Sequence, residues 1–198
     1  MAPDDLDQRL VGALERMGHL TRTMLSRQAY LESISPLQFQ LLQRLGPGNR
    51  GPRVSDLAQE LDVSQATVSE ALSTMRRKNL VESEPDARDR RNSVFRLTED
   101  GENTRARLAQ WVEPLEAKLQ HFGAPEKGAA LHLALSFVAE LHRNGVINVA
   151  RTCLTCRFFD DAAHPDSPQP YHCSLLDTAF ADTELRVDCQ GHEPLPAS

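Results

Sequence analysis

Apolar side chains recur every three or four positions along residues 4–31, at Leu6, Leu10, Leu14, Met17 and Met24, with Thr21 and Gln28 in the same stripe. This spacing predicts one long helix. Asp4 or Asp5 is its expected cap, since a carboxylate suits the positive end of a helix dipole. Ser35-Pro36 reads as a restart, a capping hydroxyl followed by proline at the first helical position. The helix it opens carries Phe39, Leu41, Leu42 and Leu45 and ends at Gly46-Pro47. A Gly/Pro-rich loop follows to Pro52. Ser55 is then the expected cap of a short helix over 56–61, with Leu57 and Leu61 inward. Asp62-Val63 forms a turn, and Ser64 caps a second helix over 65–79 whose apolar face is Val68, Leu72 and Met75.

The period changes after that helix. Residues 80–83 and 93–97 read as two strands, the second supported by Val94, Phe95 and Leu97. A polar tip containing Pro85 separates them. Thr98 caps a further helix that runs to about Phe122 with a kink expected at Pro114. Gly123-Ala124-Pro125 breaks the chain, and a last long helix reaches about Asn144, closed by Gly145. The predicted fold class is mainly α with a small β-hairpin.

A short capped helix, a tight turn and a second capped helix form the pattern of a helix-turn-helix. The second helix starts with small and polar side chains, Ser64, Gln65, Ala66, Thr67 and Ser69. Gln pairs with the adenine edge and Ala or Thr meets the thymine methyl, so this face suits a major groove. Arg76 and Arg77, further along, are expected to contact phosphates. The hairpin tip holds Arg88, Arg90 and Arg91 interleaved with Asp86 and Asp89. Arginines there suit a narrow minor groove, and the aspartates are expected to brace them. The bland reading of the polar helix face is simple solvation; the arginine-bearing hairpin weighs against it.

Over residues 4–145 the chain resembles the MarR family of bacterial regulators. The most specific part is VSQATVSEALSTMRRKNLVESEPDARDRRNSVFRLTEDG, residues 63–101. The family's Asp-x-Arg-Asp-x-Arg wing falls on Asp86, Arg88, Asp89 and Arg91, and its closing Leu-Thr-x-x-Gly on Leu97, Thr98 and Gly101. The resemblance implies a homodimer that presents two winged helix-turn-helix domains to a palindromic operator in double-stranded DNA, most often as a repressor. It also implies a small-molecule effector in many relatives. The residues agree with dimerisation: 4–31 and 99–144 are too long and apolar for a small winged helix to cover, and Leu131, Leu133, Leu135, Phe137, Val138 and Leu141 need a partner surface. The expected organisation is an N-terminal dimerisation helix (1–34), a winged helix-turn-helix (35–98), C-terminal dimerisation helices (99–145) and a tail (146–198).

Charge sharpens this division. The net charge of −6 is unusual for a DNA binder. The tail accounts for −5 of it, with three basic and eight acidic side chains, whereas residues 75–96 carry seven basic against four acidic. Basic charge is thus concentrated at the expected DNA-binding element, and the tail is not expected to touch DNA. The polar, acidic start is unlike a secretory signal, and no apolar run is long enough to span a bilayer. A cytoplasmic protein without membrane partners is expected.

All four cysteines lie in the tail, as Cys153, Cys156, Cys173 and Cys189 in a C-x2-C-x16-C-x15-C spacing. Four thiolates at such spacing suit a metal site. The proline-rich insert between the pairs is expected to build no hydrophobic core, so metal would order the tail. Zinc is the favoured occupant. An iron–sulfur cluster on the same cysteines is the alternative: the spacing is similar to that of high-potential iron–sulfur proteins, and Phe158, Phe159, Tyr171 and Phe180 would exclude water. With such a cluster the protein would be a redox-sensing regulator, since loss or oxidation of the cluster would unfold the tail and bias the separation of the recognition helices. Disulfides fit a reducing compartment poorly. His164, His172 and His192 are candidate replacements for a cysteine ligand. Four thiolates leave no open coordination position, which argues against an enzyme. A protein–protein adaptor built on a winged helix is the remaining reading.

Overall fold

The computed structural model describes residues 3–45, 51–86, 89 and 93–195. Helix α1 spans Pro3–Leu31, α2 Pro36–Arg44, α3 Val54–Glu60 and α4 Gln65–Arg77; strands β1 (Val81–Pro85) and β2 (Ser93–Leu97) follow, then α5 (Glu99–Ala109), α6 (Glu113–Leu119) and α7 (Ala124–Arg143). Three short strands, β3 (Phe159–Asp160), β4 (Tyr171–Cys173) and β5 (Thr178–Phe180), lie in the tail. The chain divides into two compact units, Met1–Pro114 and Leu115–Ser198.

In the first unit, α2, α3, α4 and the hairpin close over an aliphatic core. Leu41, Leu42, Leu57, Val68 and Met75 are wholly buried, and Leu25 of α1 and Trp111 pack at its edge. Caps fix the helix starts. The Ser35 hydroxyl accepts from the Gln38 backbone while Gln38 reaches back to Ser35 N–H, a reciprocal capping box. The Ser64 hydroxyl accepts from Thr67 N–H at 3.1 Å. Helix α3 departs from expectation: it starts at Val54, and Asp56, not Ser55, supplies the capping contact by accepting from Arg53 N–H at 3.1 Å. Ser55 sits inside the first turn and bonds to Asp56 instead. Similarly, α1 begins at Pro3, so Asp5 lies within the helix and pairs with Arg9.

The hairpin is antiparallel, pairing Val81 with Leu97 and Pro85 with Ser93, so β1 runs two residues beyond the expected Ser83. Two glycines permit close approaches. A Cβ on Gly51 would lie 1.9 Å from the Phe95 carbonyl oxygen, and one on Gly101 would lie 2.0 Å from that of Leu80. Gly101 thereby lets α5 seat on the α4–β1 junction, where Thr98 accepts from Gly101 N–H and donates to the Asn79 carbonyl. The expected single helix over 99–122 is interrupted by a 3-10 turn at Gln110–Val112. Pro114 has no N–H to offer the Gln110 carbonyl, so the ladder tightens there.

In the second unit, α7 packs with the tail. The tail does build a core, contrary to the expectation from its proline content. Strands order as β3-β4-β5, all antiparallel. Tyr171, Phe180 and Leu185 bury against Leu135 of α7, and Phe159 stacks at 5.3 Å from Tyr171. Leu135 and Leu131 thus find a partner within the chain, whereas Leu133 and Phe137 stay exposed. The Tyr171 hydroxyl donates to Asp182 Oδ1 at 2.6 Å, and His132 Nδ1 stands 2.7 Å from the same oxygen. Burial and this bond push the Tyr171 phenol up to about 12, while the hydroxyl and the imidazole hold the Asp182 carboxyl below its usual range. Among the described residues, no helix is long and apolar enough to cross a membrane.

Candidate nucleic-acid interface and the cysteine cavity

Helix α4 presents two faces that differ sharply. Val68, Leu72 and Met75 anchor it in the core. Ser64, Gln65, Ala66, Thr67 and Ser69 are all exposed along its first two turns. The helical period turns 66, 67 and 69 away from the core positions 68, 72 and 75, whereas Gln65 lies one turn before Val68 and is exposed because it opens the helix. Asp62, at φ 52°, turns the chain between α3 and α4. Free N–H groups at the start of α4 add partial positive charge beside these side chains. Arg76 and Arg77 are exposed in the last turn, with Arg77 held by a 3.0 Å bond to Thr74. Lys78 reaches the Ser33 carbonyl.

The wing begins with a brace that sequence reading missed. Asp86 is 3% exposed. Arg53 donates from Nε to its Oδ2 at 2.6 Å, and a second guanidinium nitrogen pairs with the same oxygen. The bond to Asp86 raises the Arg53 pKa further above its ordinary value. Asp86 therefore braces an arginine, as expected of the wing aspartates, but this one enters from before α3. Arg53 and Val94 also form an isolated bridge, and Phe95 N–H donates to the Pro52 carbonyl, so residues 52–53 run beside β2. Arg88, Arg90 and Arg91 lie outside the described residues.

A cleft of about 440 Å³ opens in the first unit, lined by Leu25, Phe39, Trp111 and Val112 with Gln40 and Gln43 at its polar side.

The four cysteines converge in the second unit. Cys153 and Cys156 bracket a 3-10 turn, Cys173 ends β4, and Cys189 follows Asp188 in the closing loop. All four line one cavity of about 170 Å³, together with Phe158, Phe159 and Phe180. Backbone bonds hold the segments: Cys153 N–H donates to the Arg186 carbonyl and Cys189 N–H to that of Arg151. None of the four is joined in a disulfide, and burial raises the Cys153 pKa. None of the three histidines lines the cavity. His192 Nε2 lies 3.0 Å from the Thr155 hydroxyl, and burial lowers its pKa. His164 and His172 face one another, and His172 also meets Asp177.

Comparison with known proteins matches the helix-turn-helix and hairpin. Residues 34–101 match the winged helix DNA-binding domain family. Three solved structures share the fold. A putative MarR-like transcription regulator from Bacillus cereus is 23% identical with a TM-score of 0.54, covering 68% of this chain and 97% of its own. MarR itself gives 21% identity and a TM-score of 0.56, covering 68% and 91%. The transcriptional repressor CouR, solved bound to a 23-mer DNA duplex, gives 21% and 0.56, covering 70% and 98%. No curated protein matches. Residues 34–101 are thus similar to winged helix DNA-binding domains, and the chain shares the fold of the MarR-type regulators. Nearly a third of the chain has no counterpart in those three structures.

Proposed function

We propose that this protein is a homodimeric transcriptional regulator that binds a palindromic operator in duplex DNA and represses by occupying it. The observation that carries this reading is the two-faced α4, exposing Gln65, Ala66, Thr67 and Ser69 opposite a fully buried anchor, with a hairpin directly after it. In this reading α4 enters the major groove, and Arg88, Arg90 and Arg91 follow the adjacent minor groove. Gln65 and Thr67 read base edges, while Arg76 and Arg77 neutralise phosphates. The Arg53–Asp86 pair sets the angle of the wing. Dimerisation is supported by the apolar stripe of α1, where Leu6, Leu10, Leu14 and Met17 are exposed in the single chain. Covering such a face with a second copy is the usual solution. The relative CouR, a repressor bound to duplex DNA, supports both the mode and the sign of regulation. The 440 Å³ cleft, apolar with the amides of Gln40 and Gln43 and the guanidinium of Arg44 on its wall, is the proposed seat of a small-molecule effector.

Duplex binding measured by fluorescence anisotropy tests the reading. Replacing Arg88, Arg90 and Arg91 together by alanine should abolish binding at moderate salt. Gln65→Ala should change the preferred sequence, whereas Arg76→Ala should weaken all sequences alike and reduce the salt slope by about 1. Unchanged binding in the triple variant would remove the wing arginines from the reading, and no duplex binding by the wild type would favour a protein–protein adaptor.

A further inference from the structure

The cysteine cavity lies outside the nucleic-acid interface, and its chemistry is distinct. Four thiols from three separate stretches of chain face one space, whose remaining wall is largely aromatic and aliphatic. The tail is rich in carboxylates, yet Glu184 alone among them reaches the lining. The convergence is built in, because each segment is fixed independently. Phe159 pairs with Cys173 across β3 and β4, and the chain at 151–153 is bonded to 186–189. The cysteine turn is further tied to the end of the described chain, through Arg157 N–H to the Glu193 carbonyl and a Cys156–Pro194 bridge.

Sulfur spacing separates the possible occupants. A single zinc ion bonds four thiolates at about 2.3 Å, which gathers all four sulfurs around one point. Among the described residues, no three His, Cys, Asp or Glu side chains are grouped to hold one metal ion. A cubane cluster has the opposite requirement. Each of its four irons takes one thiolate, so the sulfurs stand apart around a space that the inorganic core fills. Cysteines distributed over the wall of a cavity meet that requirement. Two hydrogen-bond donors also reach the sulfurs: Arg186 N–H lies 3.3 Å from Cys153 Sγ, and the Arg186 guanidinium 3.9 Å from Cys189 Sγ. Donors of this kind stabilise thiolates and clusters alike. The histidines are occupied elsewhere, which leaves an all-cysteine ligand set.

We propose that Cys153, Cys156, Cys173 and Cys189 hold a four-iron, four-sulfide cluster in this cavity. The aromatic wall shields it from water, and the cluster joins the 3-10 turn, β4 and the closing loop into one body. The tail already packs on α7, where Gly128 lies against Asp182 and Thr183, and Leu135 enters the aromatic core with Tyr171 of β4.

The test uses the full chain purified without oxygen, with iron, acid-labile sulfide and zinc measured per chain alongside the visible spectrum. The expected result is four iron and four sulfide with a broad thiolate-to-iron absorption. Cys173→Ser should lose iron, sulfide and colour together. His192→Ala and His172→Ala should keep them, because neither ring lines the cavity; these variants also show whether the tail survives substitution. One zinc per chain without sulfide, before and after anaerobic reconstitution with ferrous iron and sulfide, would overturn the proposal. So would four freely titrating thiols or two disulfides after the same treatment.

Discussion

The two units of this chain solve the problem of an interior in different ways. In the winged helix, aliphatic side chains at helical spacing interdigitate, and Leu41, Leu42, Leu57 and Val68 are completely hidden. In the tail, strands of two or three residues enclose three aromatic rings and a thiol-lined cavity. The first interior follows from periodicity and needs only hydrophobic burial. The second is assembled from loop hydrogen bonds between distant segments, and its small apolar core leans on α7. A short polar segment with few large aliphatics gains little from burial alone. The contrast suggests why cysteines concentrate in the tail and are absent from the winged helix: there the aliphatic core is sufficient.

Truncation of each interior is the strongest way to break this comparison. Phe180→Ala should cost about 3–5 kcal/mol and Leu41→Ala about 2–5 kcal/mol. Urea unfolding followed by circular dichroism and by tail proteolysis should show Leu41→Ala acting on the helical signal and Phe180→Ala on tail protection. If both variants moved both signals equally, the two interiors would be one cooperative structure. Gly101→Ala is next in size. Its new methyl meets the Leu80 carbonyl, so the α5 start must shift, at about 1–3 kcal/mol. A crystal structure or thermal melt unchanged by this substitution would contradict the close approach.

Smaller effects sharpen the account. Thr98→Ala removes an N-cap and should cost about 1 kcal/mol, seen as a lower urea midpoint with unchanged slope. In the tail, Tyr171→Phe removes the hydroxyl bound to Asp182, for about 1 kcal/mol. The pH dependence has a definite sign. The Asp182 carboxyl is held below its unfolded value, so its contribution is present above about pH 4. It is lost as pH falls through the lowered folded value. Tail protection in the wild type should therefore decline on acidification, and the decline should be weaker in Tyr171→Phe. Equal acid sensitivity in the two proteins would remove Asp182 from the explanation.

Legibility in the sequence followed the same division. Caps at Ser35, Ser64 and Thr98 and the break at Gly123 were readable because each is a local event within four residues. The β2 strand, Ser93–Leu97, was readable from the β propensity of Val94, Phe95 and Leu97. The α3 start was misplaced because two candidate caps, Ser55 and Asp56, are adjacent, and only geometry decides which reaches an N–H. The 3-10 turn at Gln110–Val112 was expected only as a kink, since proline marks where a bond is missing and not how the chain compensates. The Arg53–Asp86 brace joins residues 33 positions apart, with no periodic signal linking them. In the tail, strands of two or three residues carry no measurable period, so the sheet was invisible, although Phe158, Phe159, Tyr171 and Phe180 stood out as rings able to exclude water. Cysteine spacing did indicate a shared site, but the cavity and the distribution of sulfurs around it are tertiary facts.

The central claim, that the chain is a dimeric reader of duplex DNA, is tested most directly by selection from a random duplex library. The account predicts enrichment of an inverted repeat bound by two chains, with the same sequence lost when Gln65 is replaced by alanine. Recovery of no common sequence, or of a single half-site bound by one chain, would contradict it.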